Sequence, residues 1–211
     1  ELGCGSGSHA MYLSKEGFQI TGIERSPEMV DIARKKNIQG FEPIVGNIED
    51  FSLDKRFDSV ISLFHVISYL TTNDALLKCF KQVNRHLKQG GIFLFDTWFT
   101  PAVYTQIPDT RIRRLEDDGI EVVRIAESTM DYFNNIVNVN FEVLIKDKQN
   151  GRSETIKEVH PMRHFSIGEI SFLALHCGFE VILEEEFLSG AKPGKDTWGV
   201  CFVLKKIKDH E

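Results

Sequence analysis

Glu1-Leu2-Gly3-Cys4-Gly5-Ser6-Gly7, the first seven residues, decide how the rest of the chain is read. Glycine at alternate positions lets the backbone turn tightly and come close to a ligand, because no Cβ stands in the way. A helical pattern follows at once from Ser8 to Glu16 and stops at Gly17, a residue suited to the position after a helix. A glycine turn that feeds a helix is the ligand cradle of open α/β folds. Gly3 and Gly5 fit the dinucleotide fingerprint G-x-G-x-x-G, but its third glycine falls on Ser8. The order here is instead acidic-x-G-x-G-x-G.

Outward from this turn the first half alternates strand and helix signals. Phe18 to Glu24 is a short apolar run read as a strand, and Ser26-Pro27 is a hydroxyl cap followed by proline at the first helical position. Residues 42–46 and Asp58 to Phe64 read as further strands. Asn73 or a neighbouring threonine caps a helix to Leu87, closed by Gly90-Gly91, and residues 91–96 form another buried strand. Strands alternating with helices predict crossover units and a parallel sheet. After Pro101 the pattern changes. Residues 111–163 alternate apolar and polar, as in Val137 to Ile145, and Asn150-Gly151 reads as a hairpin turn. Three or four antiparallel strands are expected there. Helical character returns at Ser166, which forms a capping box with Glu169, and ends at Gly178; residues 179–187 and 198–205 are the last two strands.

Glu1 to Gly7 resembles motif I of the class I S-adenosylmethionine-dependent methyltransferases. That cofactor carries an ammonium and a sulfonium and no phosphate, so an acidic turn suits it better than a phosphate cradle. Glu24, at a strand end roughly ~20 residues on, stands where a carboxylate accepts both ribose hydroxyls. Gly46-Asn47-Ile48 resembles the family's G-D-aliphatic segment at the adenine, with asparagine as a mild departure. Met29 is placed to cover the other adenine face or simply to fill the core. Leu63-Phe64-His65 ends the family's fourth strand, and Lys88-Gln89-Gly90-Gly91 resembles the turn before its fifth. The resemblance implies a Rossmann-like seven-stranded sheet with an antiparallel β insertion after the fifth strand. Residues 1–98 and 166–211 would be the cofactor-binding core, and 99–165 the substrate-side insertion. It also implies that the chain begins at the end of the first strand, with that strand and part of a lid absent.

Phe64-His65-Val66-Ile67-Ser68-Tyr69, Asp96 to Val103 and Met162 to Ser166 are similar to a narrower branch. These are the N-methyltransferases that dimethylate nucleotide-linked 3-amino-3,6-dideoxyhexoses. On these resemblances the cofactor residues are Glu1, Gly3, Cys4, Gly5, Gly7, Glu24, Arg25, Met29, Asn47, Ile48, Leu63 and Phe64. The acceptor residues are Tyr69, Asp96, Trp98 and Arg163. Asp96 would pair with a cationic amine or serve as a strand-end carboxylate. Arg163 would grip a pyrophosphate through a bidentate contact, or be an exposed strand arginine. His65 is the catalytic candidate, since an imidazole with a reference pKa near ~6.5 exchanges protons at neutral pH; it equally suits a residue that only lines the pocket. The cluster Arg111, Arg113 and Arg114 reads as a solvated strand face. His160 and His164 share a strand face, but no third ligand with suitable spacing supports a metal site.

Across 211 residues the formal net charge is −6, so no overall basic excess supports a nucleic-acid partner. No apolar run is long enough to span a bilayer. The four cysteines are scattered and there is no signal peptide, which together predict a reduced, cytoplasmic protein. The expected partner is a small-molecule substrate, and a homodimer is left open. Three alternatives remain: a methyltransferase for another small N- or O-acceptor, a nicotinamide dehydrogenase, and a non-catalytic module that keeps the cofactor fold.

Overall fold

The computed structural model describes residues 1–210. Its first layer alternates as the apolar runs require. α1 spans Ser8–Lys15, β1 Ile20–Glu24, α2 Pro27–Lys35, β2 Phe41–Val45, β3 Phe57–Ser62, α3 Asn73–His86 and β4 Leu87–Phe99. α4 is Thr100–Gln106. The strands β5 Arg111–Glu116, β6 Ile120–Asp131, β7 Ile136–Asp147 and β8 Ser153–Phe165 follow, then α5 Ile167–His176, β9 Phe179–Glu186 and β10 Gly199–Lys206. The fold is mixed α/β.

β1 pairs in parallel with β2, and β3 in parallel with β4. Leu2 stands between the two pairs. It bridges Ile23 in parallel, and its N–H donates to Ile61 O at 2.8 Å. β10 lies antiparallel to β4, and β9 antiparallel to β10. The order β2-β1-Leu2-β3-β4-β10-β9 is thus a seven-position sheet in which one position is a single bridge. Beyond Leu2, β1 and β3 are not paired and leave a cleft of about 230 Å³ lined by Ile20, Phe51 and Val60.

Expected and observed elements differ in a few places. Phe18 lies outside β1 and is exposed; its backbone N–H donates to Leu13 O at 3.2 Å and closes the end of α1. β4 begins at Leu87, not at residue 91: Lys88 to Gly91 form an irregular bulge, with Gly90 at φ 75°, between the pairs Phe57↔Leu87 and Ser59↔Ile92. α4, started by Pro101 at a first-turn position, is a short helix that the sequence pattern does not reveal. The cap of α3 is Thr72, whose hydroxyl accepts from Ala75 N–H at 3.1 Å.

The core is aromatic. Phe80 of α3 meets Phe93 and Phe95 of β4 edge-on at 5.4 and 5.5 Å, and Phe95 stacks on Phe202 of β10 at 5.4 Å. Such pairs add to the large area each ring removes from water. β5 to β8 form a four-stranded antiparallel sheet with continuous register. The β7–β8 turn is built on Asp147, whose carboxylate accepts from Gln149 and Asn150 N–H, with Gly151 at φ 72°. β4 outruns the core, and its end pairs with the end of β8 (Trp98↔His164, Phe99↔Phe165). The insertion is therefore hydrogen-bonded to the core sheet.

Candidate active site

The glycine turn is held from both sides. Gly3 N–H donates to Ile23 O at 2.8 Å, and a Cβ on Gly3 would strike Val66 at 2.7 Å. Gly22 of β1 is equally tight: a Cβ there would meet Cys4 Sγ at 2.5 Å. Burial pushes the Cys4 thiol up to about 12, so it is an inert packing group beneath the turn. Gly5 differs. At φ 51° it needs glycine, yet a Cβ would meet nothing within 4 Å. Space over its backbone is what a closely approaching ligand requires.

Glu24 ends β1 beside this space. Its Oε2 accepts from Gly5 N–H and its Oε1 from Ser26 N–H, both at 2.9 Å. Both oxygens are thereby fixed in place and keep outward lone pairs for further donors. The Glu1 side chain is 1 % exposed; Oε1 meets His9 Nδ1 at 2.6 Å, and Oε2 is buried without a partner. An unpartnered buried carboxylate oxygen is costly unless a cation reaches it. His9 in turn stacks on Phe64 at 5.4 Å. Asn47 and Ile48 follow β2, whose end is tied to β1 by Gly46 N–H donating to Glu24 O at 2.9 Å. Met29 is exposed on the first turn of α2, outside the core. Arg25, next to Glu24, lies close enough to Tyr69 to oppose the rise of its phenol. Glu24, Arg25, Asn47, Leu63 and Phe64 lie at or just past the carboxyl ends of β1, β2 and β3, where open α/β sheets bind ligands; Ile48 beside them also packs on the hydrophobic core, and Gly7 faces Phe41. Together these groups fit a cationic nucleoside: an open glycine backbone, one fixed carboxylate for a sugar and one buried carboxylate oxygen without a partner for an ammonium.

After β3 the backbone enters a strained bend, with Phe64 and His65 at φ 60° and 64°. Consecutive non-glycine residues in the left-handed region are uncommon and persist where the surroundings over-determine them. Asp96, at 0 % exposure in β4, fixes this bend. Its Oδ2 accepts from His65 N–H at 3.1 Å and lies 2.6 Å from His65 Nδ1, off the axis of a linear ring hydrogen bond. Trp98 and Phe187 flank the imidazole edge-on, both at 6.2 Å. Gly199 of β10 leaves it room, since a Cβ there would meet His65 Cε1 at 3.2 Å. Asp96 is thus buried behind His65, while Trp98 faces the cavity.

That cavity, about 510 Å³, lies between the core and the pocket-facing side of β5–β8. Its size is typical of a small-molecule site. His65, Tyr69, Trp98 and Trp198 line it from the core; Arg111, Arg124, Phe141 and His160 line it from the insertion. Tyr69 Oη is 2.9 Å from His160 Nδ1, and His160 Nε2 is 3.0 Å from Glu158. With Glu158 accepting from Nε2–H, Nδ1 is the acceptor and the Tyr69 hydroxyl donates to it. Burial is the main reason the Tyr69 phenol is pushed up. This chain of contacts, and the roles of Phe187, Trp198 and Gly199, leave no mark in the sequence because each acts through a partner remote along the chain; His9 meets Glu1 only eight residues away but carries no recognisable motif.

Arg163 is not brought to the cavity. It lies on the other side of β8, paired with Glu169 at 2.5 Å and reaching Thr71 O at 3.4 Å. His164 shares the strand face of His160 and Met162 but does not line the cavity; it bonds Thr100 at 2.9 Å. Among the described residues no cluster of metal-binding side chains occurs, and no helix is long and apolar enough to cross a membrane.

Comparison with known proteins adds to this geometry. Residues 1–91 match a family described as a methyltransferase domain. A protein named as a methyltransferase in Geobacillus sp. (strain WCH70) is 33% identical, over 98% of this chain and 83% of that protein. The dTDP-3-amino-3,4,6-trideoxy-alpha-D-glucopyranose N,N-dimethyltransferase of Streptomyces venezuelae is 26% identical over 92% of this chain and 78% of its own length. The fold matches the crystal structure of an S-adenosylmethionine-dependent methyltransferase from Clostridium acetobutylicum ATCC 824. The TM-score is 0.82 at 22% identity, covering 97% of this chain and 81% of that one.

Proposed function

Because the chain belongs to the S-adenosylmethionine-dependent methyltransferases, we propose that it methylates the amine of a small molecule, and that this acceptor is a nucleotide-linked amino sugar. The observation that carries the amine reading is the buried Asp96 set behind His65 at the wall of a cavity that Phe64 and His65 line just past the end of β3. The amino-sugar reading is supported by relatives whose names specify dTDP-amino-sugar N,N-dimethylation. In this reading residues 1–98 and 166–211 hold the cofactor, and 99–165 cover the acceptor.

S-adenosylmethionine, when bound, supplies an electrophilic methyl carbon on a sulfonium. Glu24 would hold its ribose, Gly5 would let it lie against the backbone, and the free oxygen of Glu1 would meet its ammonium. Asn47 and Ile48 would take the base, with Met29, Leu63 and Phe64 at its faces. The acceptor nitrogen needs a free lone pair aimed at the methyl group, so positioning supplies most of the rate. The charge of Asp96, 2.6 Å from Nδ1, favours the tautomer protonated there, which would leave Nε2 to accept a proton from the amine. Trp98 and Trp198 give the sugar an apolar wall and keep water from the imidazole.

The test is a product assay. Purified protein with S-adenosylmethionine should convert dTDP-3-amino-3,6-dideoxyglucose to mono- and dimethylated products seen by mass spectrometry, and should leave dTDP-glucose unchanged. Methylation of hydroxyl acceptors alone would overturn the amine assignment, and failure to bind S-adenosylhomocysteine in calorimetry would overturn the cofactor site.

A further inference from the structure

The outer end of the acceptor cavity carries arginines that form no ion pair among the described residues. Arg111 on β5 and Arg124 on β6 line it. Arg113 is the direct cross-strand partner of Arg124, and Arg111 that of Ala126, so strand alternation puts all three guanidinium groups on the cavity side. Like charges directly opposite each other on neighbouring strands are destabilising. Among the described residues none of the three forms an ion pair, although the chain carries 31 acidic residues against 25 basic ones. Asp109 lines the same cavity without pairing with Arg111, and Glu158 is engaged by His160. Arg124 is steadied by the Phe141 ring, 5.3 Å from its guanidinium carbon. Its position is therefore held by an apolar contact that leaves the donors free.

We propose that Arg111 and Arg124, with Arg113 beside them, form an anion subsite that binds a phosphate or diphosphate on the acceptor. This deepens the methyltransferase reading and rests on it. The subsite lies toward the outer edge of the sheet. β5 is three strand spacings, roughly 14 Å, from β8, the strand that joins the core. An acceptor with an amine at one end and a phosphate at the other spans that cavity from His65 to the arginines. Guanidinium groups suit this ligand because their paired donors match phosphate oxygens.

The chain's two tryptophans, Trp98 and Trp198, both line the cavity, so intrinsic fluorescence reports its occupancy. The full chain is titrated with inorganic pyrophosphate and with thymidine 5′-diphosphate, and S-adenosylhomocysteine binding is followed separately by calorimetry. Both anions should change the fluorescence. The double variant Arg111→Ala/Arg124→Ala should weaken both by at least about tenfold, with its circular dichroism and S-adenosylhomocysteine affinity unchanged. Arg111→Lys/Arg124→Lys should recover part of the loss. Arg114→Ala, on the opposite face of β5, should bind as the parent does. Tighter binding of thymidine diphosphate than of pyrophosphate marks a nucleotide, and equal binding marks the bare phosphate. Unchanged anion affinity in the double variant, or no anion binding by a parent that still binds S-adenosylhomocysteine, overturns the subsite and leaves the cofactor reading standing. Loss of S-adenosylhomocysteine binding by the parent would strike the cofactor reading itself.

Discussion

The two walls of this site are made by different means. The wall at the glycine turn is backbone and short-range. Gly5 and Glu24, which share its central hydrogen bond, are 19 residues apart, and its parts sit at the ends of consecutive strands. The opposite wall is a sheet of long side chains whose contacts leap across the chain, as between Tyr69 and His160, 91 residues apart. A wall of backbone N–H groups and two carboxylates accommodates one kind of ligand. A wall of alternating side chains can change its ligand by exchanging residues on one face while the hydrogen-bonded frame stays put. On the proposed reading, cofactor binding should resist substitution on the insertion, and acceptor choice should reside there.

The joint between the walls should show the largest effect. His164 sits where β8 meets β4, fully buried, and burial pulls its pKa down from 6.5 to about 4, with Arg163 adding to the fall. The folded value lies below the unfolded one, so the unfolded chain takes up the proton first. Stability should fall as pH drops from 6.5 toward about 4, by up to about 3 kcal/mol, and the loss should level off below that. Urea unfolding across this window measures it. His164→Gln should flatten the dependence, and an unchanged slope would show that the joint is not where acid acts. Next in size is Glu24→Ala, which removes the carboxylate shared by Gly5 and Ser26. S-adenosylhomocysteine affinity should fall about a hundredfold, while anion binding at the arginines stays within error. If both fall together, the two walls are not independent.

How much of this was legible follows the same division. Gly3, Gly5, Glu24 and the strand-helix alternation announce themselves because their spacing is local and set by backbone geometry. The Ser26 and Ser166 caps are local too, with the hydroxyls bonding Met29 and Glu169 N–H as their positions imply. α4 was hidden because its seven residues are too few to show a helical period. The bulge at Lys88 to Gly91 was hidden because glycine pairs suggest a turn, whereas here they let β4 continue past an irregularity. The contents of the second wall are matters of cross-strand register. Arg111 and Arg114 look alike in a row of basic residues, and only the pairing of Arg111 with Ala126, a cavity-lining residue, distinguishes them. Asp96 and Arg163 were legible as polar residues near strand ends. Which way each side chain turns was not.

The smallest effect separates the two acid-base groups in the cavity, one from each wall. His65 is backed by buried Asp96 in the core, and Tyr69 leans on His160 and Glu158 of the insertion. Since positioning carries most of a methyl transfer, His65→Gln should lower kcat about tenfold with little change in the KM of S-adenosylmethionine, a modest share of what general-base catalysis can supply. Tyr69→Phe removes one neutral hydrogen bond to the acceptor side and should cost about threefold, read mainly in the KM of the acceptor. A pH-rate profile flattened by His65→Gln but not by Tyr69→Phe assigns the proton to the core wall. The reverse order would assign it to the insertion: the phenol would take the amine proton while passing its own to His160, and His65 would be left to shape the bend that Asp96 fixes.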